Sequence, residues 1–293
     1  MAQEPARSRA VGLIPAHVLE HVPGFTPNGT AWATRLAGGT MNATYRVETS
    51  AGRFVVRVHN ASASALGANH EREARLHAAA AAAGLAPALI HVDPRFAFMI
   101  MEQVPGPTWV AEDFGRADRL GQLGAALRSL HSVPAPTVAP FDLEASLTRL
   151  AARLTGRSPA DAPDVEQLMD RARTELRLTG SSQRPATIVH NDLYHGNLIG
   201  SDRLYLVDWE YAAVADPLLD LACVLAYYPQ AIPQRDTLMD SSGLGRVASR
   251  EMLSAATWLF VLVSWFWYRI RRLDGPVPQT DIAAEIALRA RLG

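Results

Sequence analysis

The spacing of apolar residues changes once along this chain, at Pro105-Gly106-Pro107, and that change limits the folds open to it. Before that point, residues 32–36, 43–48, 53–58, 89–92 and 97–101 are short runs rich in β-branched and aromatic side chains, separated by glycines and turns. Such runs read as strands of a small antiparallel sheet, with Ala51-Gly52 as a hairpin turn and Asp93-Pro94 as another. One helix interrupts them over residues 69–83, closed by Gly84 with Pro87 beyond. After it, Leu120, Leu123, Leu127 and Leu130, then Leu143, Leu147, Leu150 and Leu154, recur at helical spacing. Further helices are expected over residues 165–178, 218–228, 247–272 and 282–292, with short strands over 187–189 and 203–207 bracketing a polar loop. The pattern predicts an α+β chain in two parts: a small, mostly antiparallel β lobe over residues 1–104 and a larger, mostly α lobe over 105–293. A chain of 293 residues is long enough to bury both cores.

All 28 basic residues are arginine, and the absence of lysine removes whole classes of chemistry. No Schiff base can form on this chain, and a phosphate loop ending in Gly-Lys-Ser/Thr is impossible. The formal net charge of −1 and the scattered arginines leave no footprint for a nucleic-acid partner. The single cysteine, Cys223, lies in an apolar run, which predicts a buried thiol in a reducing compartment. The first ten residues are polar, so a cytoplasmic location is expected. The longest apolar stretch, residues 255–268, is shorter than the ~20 residues of a membrane span and reads as a buried helix.

The chemistry concentrates in His190-Asn191-Asp192-Leu193-Tyr194-His195-Gly196-Asn197, followed by Asp208-Trp209-Glu210-Tyr211. Apolar residues flank both clusters, so two strands deliver polar side chains to a rigid edge. One carboxylate there can accept a hydroxyl proton, while an amide and a second carboxylate are hard oxygen ligands suited to Mg²⁺. Such a set serves phosphoryl transfer. The pattern His-x-Asp-x-x-x-x-Asn, then a strand and Asp, with Asp216-Pro-Leu-Leu-Asp220 beyond, resembles the choline/ethanolamine kinase and aminoglycoside phosphotransferase family, whose fold is the two-lobed protein-kinase-like fold. The resemblance implies Asp192 as catalytic base, His190 and Asp220 as supports of the loop, and Asn197, Asp208 and Glu210 as magnesium ligands or their neighbours.

The same resemblance assigns ATP to the small lobe. Gly38-Gly39-Thr40-Met41-Asn42 between two strands is similar to the family's phosphate loop, so Gly39, Thr40 and Asn42 are candidate nucleotide contacts. Arg57 stands on the strand where a protein kinase carries lysine, and its guanidinium can meet phosphate oxygens in a fork. Its acidic partner is expected in the next helix, at Glu73 with Glu71 as the alternative. Met101, Glu102 and Val104 correspond to the hinge that pairs with adenine, with only one of Met99 and Met101 turned toward the nucleotide.

For the acceptor, the resemblance points to Tyr211 and Trp265 as aromatic contacts for a cationic alcohol, since ring faces attract quaternary ammonium. Residues 190–293 carry 12 acidic residues against 9 arginines, a small excess for gripping a polycationic aminoglycoside. An ATP- and Mg²⁺-dependent kinase for choline or ethanolamine is therefore expected. Thiamine and aminoglycosides are the alternative acceptors, and a nucleotide-binding pseudokinase module is the alternative of another class.

Overall fold

The computed structural model of the chain describes residues 8–36, 42–59, 69–181 and 184–293. The first elements are β1 (Ser8–Arg9), α1 (Ala16–Leu19), β2 (Trp32–Arg35), β3 (Asn42–Thr49), β4 (Gly52–His59), α2 (His70–Ala82), β5 (Leu89–Val92) and β6 (Phe98–Glu102). There follow α3 (Ala117–His131), α4 (Leu143–Arg157), α5 (Ala162–Thr179), β7 (Thr187–Val189), β8 (Leu198–Ile199), β9 (Tyr205–Leu206) and β10 (Ala213–Ala215). The chain closes with α6 (Leu218–Tyr227), α7 (Arg235–Ser242), α8 (Arg250–Asp274) and α9 (Gln279–Leu292).

Two compact units result. One comprises Met1–Trp109, Val133–Thr137 and His195–Ala212, the other Val110–Ser132, Val138–Tyr194 and Ala213–Gly293. This division crosses the single cut at residues 104/105 read from the periodicity. Residues 195–212 join the first unit through backbone contacts: Leu206 N–H donates to Leu85 O at 2.8 Å, and Trp109 N–H to Leu198 O at 2.9 Å.

In the first unit six antiparallel strands lie in the order β1-β2-β3-β4-β6-β5. The β3–β4 register ends at Thr49↔Gly52, so the two-residue turn is Ser50-Ala51, one residue earlier than the Ala51-Gly52 expected, and Gly52, with a φ of 140°, opens β4. Alternate residues of a strand face opposite sides. On β4, Phe54 and Val56 enter a core with Val47, Phe98, Ile100 and the α1 residues Val18 and Leu19. Val55 therefore faces the other way, where Met99, Met101 and Ala74 of α2 pack together. Arg57 and His59 share that α2-facing side. Asn69 caps α2, its side chain accepting from Arg72 N–H at 2.9 Å, and the cap contributes about 1 kcal/mol. Met99 and Met101 do not divide between core and nucleotide as expected: two residues apart on one strand, they share a face, and both are buried against α2.

In the second unit α8 is the central helix. Its residues Trp258, Leu259, Leu262, Trp265, Phe266 and Ile270 form one core with Leu147 and Leu154 of α4, Val165 and Leu168 of α5, Ala226 of α6 and Leu288 of α9. At 25 residues this helix matches the one expected over 247–272, extends beyond the apolar stretch 255–268 at both ends, and is long and apolar enough to cross a bilayer. Its burial inside the unit, rather than its length, marks it as a core helix. Each such side chain contributes about 1.5–3 kcal/mol by leaving water.

The short strands around the polar loop each pair with a neighbour of their own. Only Tyr205 and Leu206 of residues 203–207 form strand, and they pair with β8, while β7 pairs with β10 through Ile188↔Val214. The loop is thus flanked by two separate two-stranded ladders.

Candidate active site

β7 ends at Val189, and the chain then turns through His190, Asn191 and Asp192. Asn191 takes a φ of 60°, in the left-handed region that Asn tolerates better than most residues. Asp220, in the first turn of α6 and fully buried, holds this turn. Its Oδ1 accepts N–H bonds from His190 at 3.0 Å and Asn191 at 2.9 Å, and its Oδ2 accepts from His131 Nε2 at 2.9 Å. A buried carboxylate is costly unless its lone pairs are satisfied, and three donors satisfy this one. His190, itself fully buried, closes the loop by accepting Asp192 N–H at its Nδ1, 3.3 Å away.

Asp192 is then fixed from the helix behind it. The Tyr227 hydroxyl donates to Asp192 Oδ1 at 3.1 Å. Burial, together with the charge of Asp192, pushes the Tyr227 hydroxyl well above its ordinary range, so it stays a donor. Tyr227 stands edge-on to Phe260 at 5.7 Å, and burial and the charges of Asp281 and Asp192 raise the Tyr268 hydroxyl as well. Asp192 is thus a carboxylate with aromatic neighbours. Cys223 lies below the loop, accepting Leu193 N–H at 3.3 Å. Burial drives its thiol well up, which makes it a packing residue rather than a nucleophile.

The first unit holds a second charged constellation. Arg57 on β4 sends Nη1 to Asp208 Oδ1 at 2.6 Å and Nη2 to Glu210 Oε2 at 2.7 Å, while its Nε lies 3.6 Å from Glu73 Oε1 on α2. Asn42 Nδ2 donates to the same Glu210 oxygen at 2.8 Å. Burial alone lowers the pKa of Arg57, but Asp208, Glu73 and Glu210 outweigh it and hold the guanidinium above its ordinary range. Between the two site carboxylates, Trp209 is completely buried and donates Nε1–H to Leu206 O at 3.0 Å. Anchoring the middle residue inward sends Asp208 and Glu210 out on the same side, and Asp208 accepts a φ of 66° to do so. Asn197 lies beside them, its carbonyl accepting Val207 N–H at 3.0 Å.

Three carboxylates face one guanidinium here, leaving two negative charges over. Asp208, Glu210 and the Asn197 amide are hard oxygen donors, so a divalent cation such as Mg²⁺ fits the set. The sequence predicts Arg57 on phosphate oxygens, whereas in the structure Nη1 and Nη2 bond Asp208 and Glu210 and Nε faces Glu73 at 3.6 Å without a hydrogen bond. Asn42, likewise predicted at the phosphates, holds Glu210.

The remaining predicted positions fall as follows. Gly39 and Thr40 lie outside the described residues. Glu73 takes its place as the partner of Arg57, while Glu71 is exposed and pairs with Arg75 at 2.7 Å. Met101 packs against α2, and Glu102 N–H is used by Ala88 O at 3.0 Å and Gln103 N–H by Arg53 O at 3.2 Å. Val104 and Tyr211 are half-buried. Trp265 is 4% exposed inside the α8 core, with the Arg289 guanidinium 5.7 Å from its ring centre. The sequence reading missed Tyr227 and His131. Tyr227 ends an almost wholly apolar helix with no polar face to mark it, and His131 reaches Asp220 across 89 residues.

Comparison with known proteins follows the same lines. The chain matches the phosphotransferase enzyme family over residues 32–252. Among solved structures it is similar to a choline/ethanolamine kinase family protein from Mesorhizobium loti, with a TM-score of 0.74 and 24% identity over 94% of this chain and 91% of that one. The choline kinase LicA from Streptococcus pneumoniae gives a TM-score of 0.74 at 18% identity, covering 89% of this chain and 92% of that one. The ADP-bound aminoglycoside phosphotransferase APH(2'')-Ib gives 0.65 at 16% identity, covering 94% and 97%. These likenesses establish the protein-kinase-like α+β fold. With the family match spanning most of its length, the chain belongs to the phosphotransferase enzyme family.

Proposed function

We propose that this phosphotransferase moves the terminal phosphoryl group of ATP to the hydroxyl of a small cationic alcohol of the choline or ethanolamine kind. The observation that carries the reading is Asp192, a carboxylate held by a clamped loop and a neutral tyrosine, with aromatic side chains about it.

Asp192 orients the acceptor hydroxyl and takes its proton as the oxygen–phosphorus bond forms and ADP departs. Asn197, Asp208 and Glu210 are the residues suited to Mg²⁺, which when bound supplies charge neutralisation to the phosphates. Arg57 keeps Asp208 and Glu210 aimed and adds fixed positive charge, while Asn42 steadies Glu210. With the Glu102 and Gln103 amides already used, the Val104 N–H is the group that serves adenine; Glu102 and Met101 shape that edge. Gly39 and Thr40 complete the phosphate side of this reading. His190 and Asp220 act through the loop.

The acceptor preference rests on chemistry around Asp192. Tyr227, Phe260 and Tyr268 offer ring faces and one carboxylate to a compact cation, an arrangement worth ~0.5–2 kcal/mol per good contact. Tyr211 remains a candidate contact, whereas the core packing of Trp265 speaks for a structural part. The lone buried cysteine suits a reducing cytoplasm. The test is ADP release from ATP with choline, ethanolamine, thiamine and an aminoglycoside, with the phosphomonoester identified by mass. Turnover highest with choline or ethanolamine supports the reading. Preference for thiamine or the aminoglycoside overturns the acceptor assignment, and ATP binding without turnover on any alcohol favours the pseudokinase alternative.

A further inference from the structure

One stripe of α6 follows the catalytic loop step by step. Asp220, Cys223 and Tyr227 are spaced three and then four residues apart on this helix, so they share a face. Each meets a different part of the loop. Asp220 takes the N–H groups of His190 and Asn191, Cys223 takes the N–H of Leu193 at 3.3 Å, and Tyr227 donates to Asp192 Oδ1 at 3.1 Å. The first two hold backbone. The third holds the carboxylate itself.

The ring that carries this hydroxyl is held in turn. Phe260 of α8 stands edge-on to Tyr227 at 5.7 Å and 83°, and Tyr228 stands edge-on to it at 6.4 Å and 87°. Edge-to-face pairs of this kind give a ring a preferred orientation, so the hydroxyl comes from a fixed point rather than from a swinging side chain. Burial and the charge of Asp192 push that hydroxyl well above its ordinary range, so it stays a donor. A carboxylate turns about its last side-chain torsion in a broad, two-fold well. A hydrogen bond to one oxygen from a fixed donor narrows that rotation.

We propose that Tyr227 is the positioning residue of the catalytic base: its hydroxyl sets the rotation of the Asp192 carboxylate, so that the acceptor hydroxyl meets a single orientation of it. The proposal rests on the phosphotransfer reading and adds a separate task for each residue of the α6 stripe. Asp220 and Cys223 shape the backbone of the loop, while Tyr227 aims the group that takes the proton. Misplacing a reacting group by about 1 Å can cost about 100-fold in rate. Because the bond acts on orientation and not on ATP, its loss falls on kcat and leaves KM for ATP as it was.

The test is steady-state ADP release by wild type, Tyr227→Phe, Asp192→Asn and the double variant, with the urea midpoint of each. Tyr227→Phe keeps the ring and removes only the oxygen. It is expected to lower kcat by about 10- to 100-fold, the range for one hydrogen bond to a charged group, while KM for ATP and for the alcohol stays within about twofold of the parent. In the double variant the two losses are expected not to add, since the hydroxyl acts through Asp192 and has no base to aim once that is gone. A merely structural tyrosine would lower the midpoint and add its loss in full. Tyr227→Leu serves if the Phe variant misfolds; it removes ring and oxygen together, and is expected to lower kcat and to raise KM for the alcohol as well. Parent-like kcat in a folded Tyr227→Phe protein, or losses that add in full, overturns the proposal. Parent-like kcat in a folded Asp192→Asn protein overturns the base assignment, and the proposal with it.

Discussion

Arg57 carries three directions of charge in one planar group, and the site depends on that geometry. Nη1, Nη2 and Nε each face a different carboxylate, from Asp208, Glu210 and Glu73. A lysine ammonium is a single point charge and cannot reach all three from the same backbone position. Arg57→Lys is therefore expected to destabilise the chain by about 1–3 kcal/mol, because at least one buried acceptor loses its partner. Urea unfolding measures this, and a midpoint equal to that of the parent would show that the arginine reflects only the lysine-free composition. The placement of Arg57 beside Glu73 was expected from the family resemblance, which calls for an acidic partner in the helix after that strand. Its grip on Asp208 and Glu210 was not, because 151 and 153 residues separate them and no periodicity records such a contact.

Short elements aim the chemical groups, and the turn at Asp208-Trp209-Glu210 shows how. One completely buried indole, hydrogen-bonded to Leu206 O, fixes which side its two acidic neighbours occupy. Trp209→Ala is expected to cost about 3–5 kcal/mol through the cavity it opens and to lower phosphoryl transfer as well, since Asp208 and Glu210 lose their bearing. Unfolding by urea together with the rate of ADP release checks both parts. Hairpins such as β3–β4 were legible because eight-residue strands carry their own alternation and a glycine turn. The partners of β7 and β9 were not: strands of two or three residues carry no period, and the pairing of β7 with β10 was settled by packing of Val189, Ala213, Ala215 and Leu219. The fully buried Asp220 was legible only through family resemblance, since composition alone does not tell a clamp from a helix-start aspartate.

Across the whole molecule, buried charge ties stability to pH. Burial alone raises the pKa of Glu73, yet Arg57, His70 and His59 outweigh it and hold the carboxyl below its ordinary value. A carboxylate whose native pKa is depressed contributes stability above its unfolded pKa, and that contribution is lost as pH falls through the native value. Acid unfolding of the parent should steepen below pH ~4.3, the ordinary glutamate value, and Glu73→Gln should flatten that limb; urea midpoints across the acid range check it. The same scale bears out the reading of α8 as a buried helix: by hydropathy and length alone it could pass for a membrane span, but residues of α4, α5, α6 and α9 cover it. The most direct test of the central claim is the rate of ADP release with its best alcohol by wild type and Asp192→Asn, alongside equilibrium ATP binding. Loss of the base is expected to lower kcat by about 10²–10⁴-fold while ATP affinity and the unfolding midpoint stay near those of the parent. An unchanged kcat in a folded Asp192→Asn protein contradicts the account.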